Sequence, residues 1–322
     1  MMQTAILNFA KQFEYHPTIE NKTALKKKKR IIVLGMGGSH LGADVIAAIK
    51  PTLPLMVYSD YGLPSLSKQE LQDSLIIASS YSGNTEEVLE GLQLALKQKL
   101  AVAVISVGGK MIDIAKQKKL AYIQVPNTGI QPRSALGFSV VGLLALMGES
   151  KLAKELQSLH KTLQPKKWEA KGKALAKKLV DRVPVIYSSK ANLAVAYNWK
   201  IKLNETGKIP AFYNIFPELN HNEMTGFDVA ASSAHLSKSF IFLFLEDKTD
   251  HPKNQQRMAV MKKLYKKRGL AVESILLEGS TVQQKIFQSL LLADWTAVAI
   301  AAHYGLESEQ VPMVEEFKKM IG

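Results

Sequence analysis

The sequence predicts an α/β protein of two subdomains, each a mainly parallel sheet flanked by helices. Three observations carry that prediction. The 322 residues exceed what one hydrophobic core usually supports. Short apolar runs rich in Val, Ile and Leu alternate with helical patterns, as expected of strands covered on both faces. A polar, lysine-rich stretch at 149–178 interrupts that alternation once, near the middle of the chain. The expected division is therefore a first subdomain at 1–150 with a leading helix, and a second at 151–322 that begins with a helical connector over 151–180.

The first round opens with a strand over 30–34, which runs into Gly35-Met-Gly-Gly-Ser39, and a helix over 41–50. Further strands are predicted at 55–59, 75–79, 101–106 and 122–125, with helices over 86–99, 111–118 and 133–147. The second round has a strand at 183–188 and a helix over 191–202. Strands near 211–213, 240–245 and 271–277 follow, with helices near 253–267 and 282–303. Two similarly built halves point to a duplicated fold, although the halves share no strong sequence repeat. Ligands in such sheets bind beyond the carboxyl ends of the strands. The segments 35–39, 80–85 and 126–133 all lie there.

Composition excludes several function classes. With no cysteine, disulfides, cysteine–zinc sites, iron–sulfur clusters and thiol catalysis are ruled out. The opening lacks a basic segment followed by an apolar core, and the apolar stretches 135–147 and 289–302 are too short for a membrane span or carry Asp294. Cytoplasmic residence is the expectation. The net charge of +14 gathers at 26–30, 166–167, 173–178 and 261–268. Such clusters attract polyanions, but no nucleic-acid module and no interleaved aromatic residues accompany them. Solvated helix faces and loop edges account for most of this charge.

The stretch 75–89 is the most informative. An apolar run ends in hydroxyls, one glycine and an amide, and a helical pattern opens at once. A helix N-terminus has unpaired N–H groups and a positive dipole end, which together favour an anion. Ser80, Ser82 and Thr85 add hydroxyl donors, and Gly83 lets the backbone approach a ligand. The competing reading is an ordinary turn with Asn84 or Thr85 as N-cap. Gly35–Ser39 approaches a dinucleotide fingerprint, with Asp60 at a plausible ribose distance, but His40 stands where the third glycine belongs. A P-loop fails because Ala43 and Asp44 follow Gly42. A glycine-lined turn presenting Ser39, opposite a turn presenting three more hydroxyls, suits a phosphosugar better than a dinucleotide.

The second half supplies acid–base groups. Glu205 follows a helical pattern and precedes Gly207, so it falls near a helix end, where a carboxylate can shuttle a proton. It can equally cap the helix or pair with Lys208. His221 can move protons on a ring oxygen, since imidazole titrates near working pH, or can simply hydrogen-bond a loop. His16, His160, His235, His251 and His303 are scattered and form no convincing ligand set, so neither a metal nor a redox cofactor is expected.

Gly-Met-Gly-Gly-Ser at 35–39, Ser-Tyr-Ser-Gly-Asn-Thr-Glu at 80–86, Pro-Arg-Ser-Ala-Leu at 132–136, Asn-Glu at 204–205 and Pro-Glu-Leu-Asn-His-Asn-Glu at 217–223 occur together in that order. The set resembles the bifunctional phosphoglucose/phosphomannose isomerases, which carry two sugar-isomerase (SIS) domains. The resemblance covers nearly the whole chain and is weakest in the first thirty residues and at 149–180. It implies two SIS-type subdomains of flavodoxin-like architecture. It also implies an intramolecular oxidoreductase of the aldose–ketose isomerase type, exchanging glucose 6-phosphate and mannose 6-phosphate with fructose 6-phosphate through a cis-enediol. By the same resemblance Gly38, Ser39, Ser80, Ser82 and Thr85 bind the sugar phosphate beside Pro132 and Arg133, and Arg133 stabilises the enediolate. Glu205 is then the base, and His221 assists ring opening from the other subunit of a homodimer. A C-terminal lysine, Lys318 or its neighbour Lys319, completes that apparatus, and no cofactor or metal is implied. By the same resemblance, a residue just upstream of that lysine helps decide whether the C2 epimer is accepted, and Gln310 and Val311 fall in that region. The competing function is a phosphosugar-sensing SIS regulator, which would keep the hydroxyl site without needing Arg133, Glu205 and His221 together.

Overall fold

In the first half of the chain, apolar runs buried on both faces stack into one parallel sheet. A computed structural model describes residues 2–321. Strands β1 (Arg30–Leu34), β2 (Leu55–Tyr58), β3 (Ser74–Ser79), β4 (Ala101–Ser106) and β5 (Ala121–Gln124) lie in the order β2-β1-β3-β4-β5. That is the flavodoxin-like order, with its reversal between β1 and β3. Every residue of the central β3 is buried, and Ile77 pairs with Val33 on one side and Ala103 on the other. Val88, Leu92 and Ala95 recur at helical spacing on the helix Glu86–Lys97 and pack with Ile76, Ala78 and Val104 of the sheet.

The second half repeats the plan with a more aromatic core. Strands β6 (Val183–Ser189), β7 (Phe212–Phe216), β8 (Phe240–Glu246) and β9 (Ala271–Leu276) are all parallel, in the order β7-β6-β8-β9. This matches the first four positions of the other sheet. Tyr187, Phe216, Phe242 and Phe244 pack with Met258, Met261 and Tyr265, and Tyr187 meets Phe244 edge-on at 5.4 Å between ring centroids. The helix Val282–His303 is long and apolar enough to cross a membrane by length and composition, but 78% of its apolar window is buried in the protein.

Contacts divide the described residues into two units, Asn8–Leu163 and the remainder. This division differs from the expected boundary at 150 in two places. Residues 151–163 stay with the first sheet, where Gln157 Nε2 donates to Tyr15 O at 2.8 Å. The leading helix Met2–Leu7 buries Met2 and Ile6 and packs on Val282–His303 within the second unit. The helix expected over 191–202 runs from Leu193 to Glu205, which makes Glu205 its last residue.

Candidate functional site

Two turns meet beyond the carboxyl ends of β1 and β3. Ser39 closes the short 3-10 turn Gly37–Ser39, and residues 80–85 link β3 to the helix Glu86–Lys97. Ser79 Oγ donates to Ser39 O at 2.8 Å, and Tyr81 N donates to Ser39 Oγ at 2.9 Å, tying the turns together.

These bonds decide which protons remain for a ligand. A hydroxyl has one proton to give and lone pairs to receive. Ser39 Oγ receives from Tyr81 N, and Ser82 Oγ receives from Asn84 N at 3.2 Å, so each keeps its own proton. Ser80 Oγ receives from Gly83 N at 3.1 Å and shares a second bond with Thr85 Oγ1 at 2.7 Å. Whichever of that pair donates, the other keeps its proton. The turns therefore present three hydroxyl donors and no acidic acceptor among those four side chains.

The capping alternative holds for the position of Thr85 but not for its side chain. Thr85 stands at the N-cap position, yet its hydroxyl caps no backbone N–H and faces Ser80. Asn84 turns its Oδ1 to Lys110 N at 3.1 Å. Gly83 is required on two counts: its φ is +73°, and a Cβ there would lie 1.8 Å from Gly108 O. Gly38 packs just as closely, since a Cβ would lie 2.8 Å from Arg133 N and 2.9 Å from Pro132 Cβ. At 40, where a dinucleotide site needs glycine, His40 is buried with Nδ1 2.6 Å from Asp44 Oδ2.

The turn Pro132–Ser134 buries Arg133 to 2% exposure. Gln12, a residue the sequence reading passed over, pins it: Nε2 donates to Ser134 O at 2.7 Å and Oε1 accepts from Gly137 N at 2.9 Å. No local pattern announces a contact this distant in sequence. Gly38, Ser39, Ser80, Tyr81, Ser106 and Pro132 are among the residues lining one cavity over these turns. Ser79 and Ser106 were also missed, although a lone serine closing an apolar strand is a readable sign of the strand's carboxyl end.

The other nominated residues lie on separate elements of the second unit. Glu205 ends its helix half-buried, and Asn204 Nδ2 holds the following turn by donating to Ile209 O at 3.0 Å. Lys208 donates to Gln310 O, which brings the segment before the C-terminal helix beside the Glu205 turn. Exposed His221 ends the short 3-10 turn Glu218–His221. Its loop is anchored by Glu223, another residue without a nominated role. Glu223 accepts from Asn214 Nδ2 at 2.5 Å and from the buried Tyr187 hydroxyl, while Asn222 Oδ1 accepts from Glu223 N at 2.6 Å. Burial, with Tyr265 and Glu223 adding to it, pushes the Tyr187 hydroxyl well above its usual range and keeps it a donor. Lys318 is exposed on the helix Pro312–Ile321 and pairs with Glu315 at 2.7 Å. Among the described residues, no group of three or more His, Asp or Glu side chains is placed to hold a metal ion.

Comparison with known proteins follows the same lines. The model of the bacterial phospho-glucose isomerase C-terminal SIS domain matches residues 169–321. The bifunctional phosphoglucose/phosphomannose isomerase of Aquifex aeolicus (strain VF5) is 31% identical over 317 residues, covering 97% of this chain and 95% of its own. The enzyme of the same name from Caldicellulosiruptor bescii is 31% identical over 328 residues, with the same coverage. Among solved structures, the C-terminal domain of glucosamine-fructose-6-phosphate aminotransferase from Francisella tularensis superposes with a TM-score of 0.70 at 14% identity, covering 96% of this chain and 98% of its own. That likeness shows the fold. The relatives also correct one expectation: they are isomerases, so the class is phosphosugar isomerase of the aldose–ketose type and not oxidoreductase. At that identity over nearly its whole length, the chain belongs to the bifunctional phosphoglucose/phosphomannose isomerase family.

Proposed function

We propose that this protein interconverts glucose 6-phosphate and mannose 6-phosphate with fructose 6-phosphate. The observation that carries the reading is the set of hydroxyl protons left uncommitted by Ser39, Ser82 and the Ser80–Thr85 pair. A phosphate monoester dianion offers only acceptors, so a cluster of hydroxyl donors without acidic side chains matches it. Family membership supports the same ligand.

In this reading the phosphate anchors the sugar at those donors, and His221 of the partner subunit in a homodimer assists ring opening together with Lys318. Glu205 takes the proton from C2 of the open-chain aldose and returns it to C1, through a cis-enediolate, while the O2 hydroxyl proton passes to O1. Arg133 supplies the positive charge that the enediolate needs. The steps call on a base, a proton donor and a fixed cation, without a cofactor. Cytoplasmic residence fits the use of a phosphorylated metabolite.

A coupled assay with fructose 6-phosphate tests the reading. Glu205→Gln is expected to lose about 10²–10⁴-fold in turnover while phosphosugar binding persists. Equal activity in both proteins removes Glu205 as the base. A wild-type protein that binds phosphosugar but forms neither aldose is a regulator instead. Mixing Glu205→Gln with His221→Ala subunits should restore activity if the site draws on two subunits.

A further inference from the structure

The second sheet repeats the strand order of the first through four positions, so it has a switch point of its own between the carboxyl ends of β6 and β8. In the first sheet that point joins Ser39, after β1, to Tyr81 N, after β3, and leaves hydroxyl protons over. In the second sheet the matching groups are already engaged. Ser189, the last residue of β6, donates its hydroxyl to Asp250 Oδ1 at 2.6 Å, and Asn192 Nδ2 reaches the same oxygen at 3.3 Å. Asp250 is 7% exposed, and its Oδ2 is buried without a hydrogen bond from any described residue. The helix that follows, Pro252–Lys267, starts with a residue that has no N–H, and His251 Nδ1 already accepts from Lys253 N at 3.1 Å. Lys285, which faces this loop, is committed to Asp247 Oδ1 at 2.6 Å and Thr249 Oγ1 at 2.9 Å.

We propose that Asp250 is a built-in anion, occupying the second switch point in place of a phosphate, so that each chain binds one small oxyanion. The inference rests on the first sheet's turns being the phosphate site, as in the proposed function. A buried carboxylate with one unsatisfied oxygen is a costly thing to keep. Its donors are the serine and amide that would otherwise be open to a ligand. An incoming phosphate meets the Asp250 carboxylate where it would need the Ser189 and Asn192 donors. The duplicated unit thus keeps the architecture of the site while closing it.

Equilibrium dialysis of the full-length protein with labelled inorganic phosphate tests this. The wild type should bind one phosphate per chain, displaced by fructose 6-phosphate, and a Ser39→Ala/Ser82→Ala/Thr85→Ala variant should bind none. Asp250→Ala should gain a second phosphate per chain and lose it again when Ser189→Ala is added. Asp250→Asn, which keeps the shape of the side chain, should stay at one. A second phosphate on the wild type, phosphate remaining on the triple variant, or a folded Asp250→Ala protein that stays at one would each overturn the proposal. If Asp250→Ala does not fold, Asp250→Ser and Asp250→Gly take its place, and a folded variant of either kind that stays at one phosphate overturns the proposal. A wild type that binds neither phosphate nor phosphosugar overturns the first-sheet reading instead.

Discussion

At the scale of single residues, the turn after β3 separates a backbone role from a chemical one. Gly83 holds a left-handed conformation that costs an ordinary residue about 1–2 kcal/mol, and its missing Cβ leaves room for Gly108 O. Gly83→Ala should lower stability by at least that amount in urea denaturation and weaken glucose 6-phosphate binding, because the turn has to move. Ser82 is exposed and receives only Asn84 N, so Ser82→Ala should stay within about 0.5 kcal/mol of wild type and weaken the same ligand. A Gly83→Ala protein as stable as wild type would refute the close approach. The turn itself was legible in sequence, since hydroxyls after an apolar run and a punctuating glycine are local signals. Which protons stay free was not. That depends on Tyr81 N reaching across to Ser39 and on Thr85 turning from the helix towards Ser80.

At the scale of elements, the helix Leu193–Glu205 is tied to a second helix by a partner distant in sequence. In sequence, Lys202 is simply the last residue of the helix predicted over 191–202. In the structure its ammonium lies 2.6 Å from Asp294 Oδ1 on the helix Val282–His303, with side chains 3% and 9% exposed. The helix runs on through Leu203 and Asn204 to end at Glu205. Asp294 was legible as a reason against a membrane span, but its partner, 92 residues away, was not. Removing one member of a buried pair strands the other charge, so Lys202→Met should cost about 3–5 kcal/mol. Replacing both, with Lys202→Met and Asp294→Leu, should recover most of that loss, because the desolvation cost of two ions disappears together. Denaturation midpoints of the three proteins measure it, and additive losses would count against the pair.

At the scale of the whole molecule, alternation of apolar runs was enough to reveal two parallel sheets, because a strand buried on both faces is a composition as much as a shape. The unit boundary was less legible, since it turns on contacts such as Gln157 with Tyr15 that no local pattern encodes. The divergence of the two switch points was missed for a related reason: Asp250 resembles any loop aspartate until Ser189 is brought to it. The same loop predicts how stability responds to pH. Burial alone would raise the Asp247 carboxyl, but hydrogen bonds from Lys285 and Thr249 outweigh it and hold the group below its usual range. Burial raises the Asp250 carboxyl, the Ser189 bond opposes that, and the charge of Asp247 adds to the rise. Native Asp247 thus binds its proton more weakly than the unfolded chain does. Its stabilisation is present above the ordinary aspartate value of about 3.9 and is lost as pH falls through the lowered folded value. Native Asp250 binds its proton more tightly, so its contribution is complete below about 3.9 and is lost as pH rises through the raised folded value. Relative to wild type, Asp250→Asn should therefore gain stability as pH climbs from acid towards neutrality, while Asp247→Asn should lose it over the same rise. Urea denaturation of the three proteins across that range separates the two groups, and curves that run parallel for both variants would show that neither carboxylate is coupled to folding as its surroundings require.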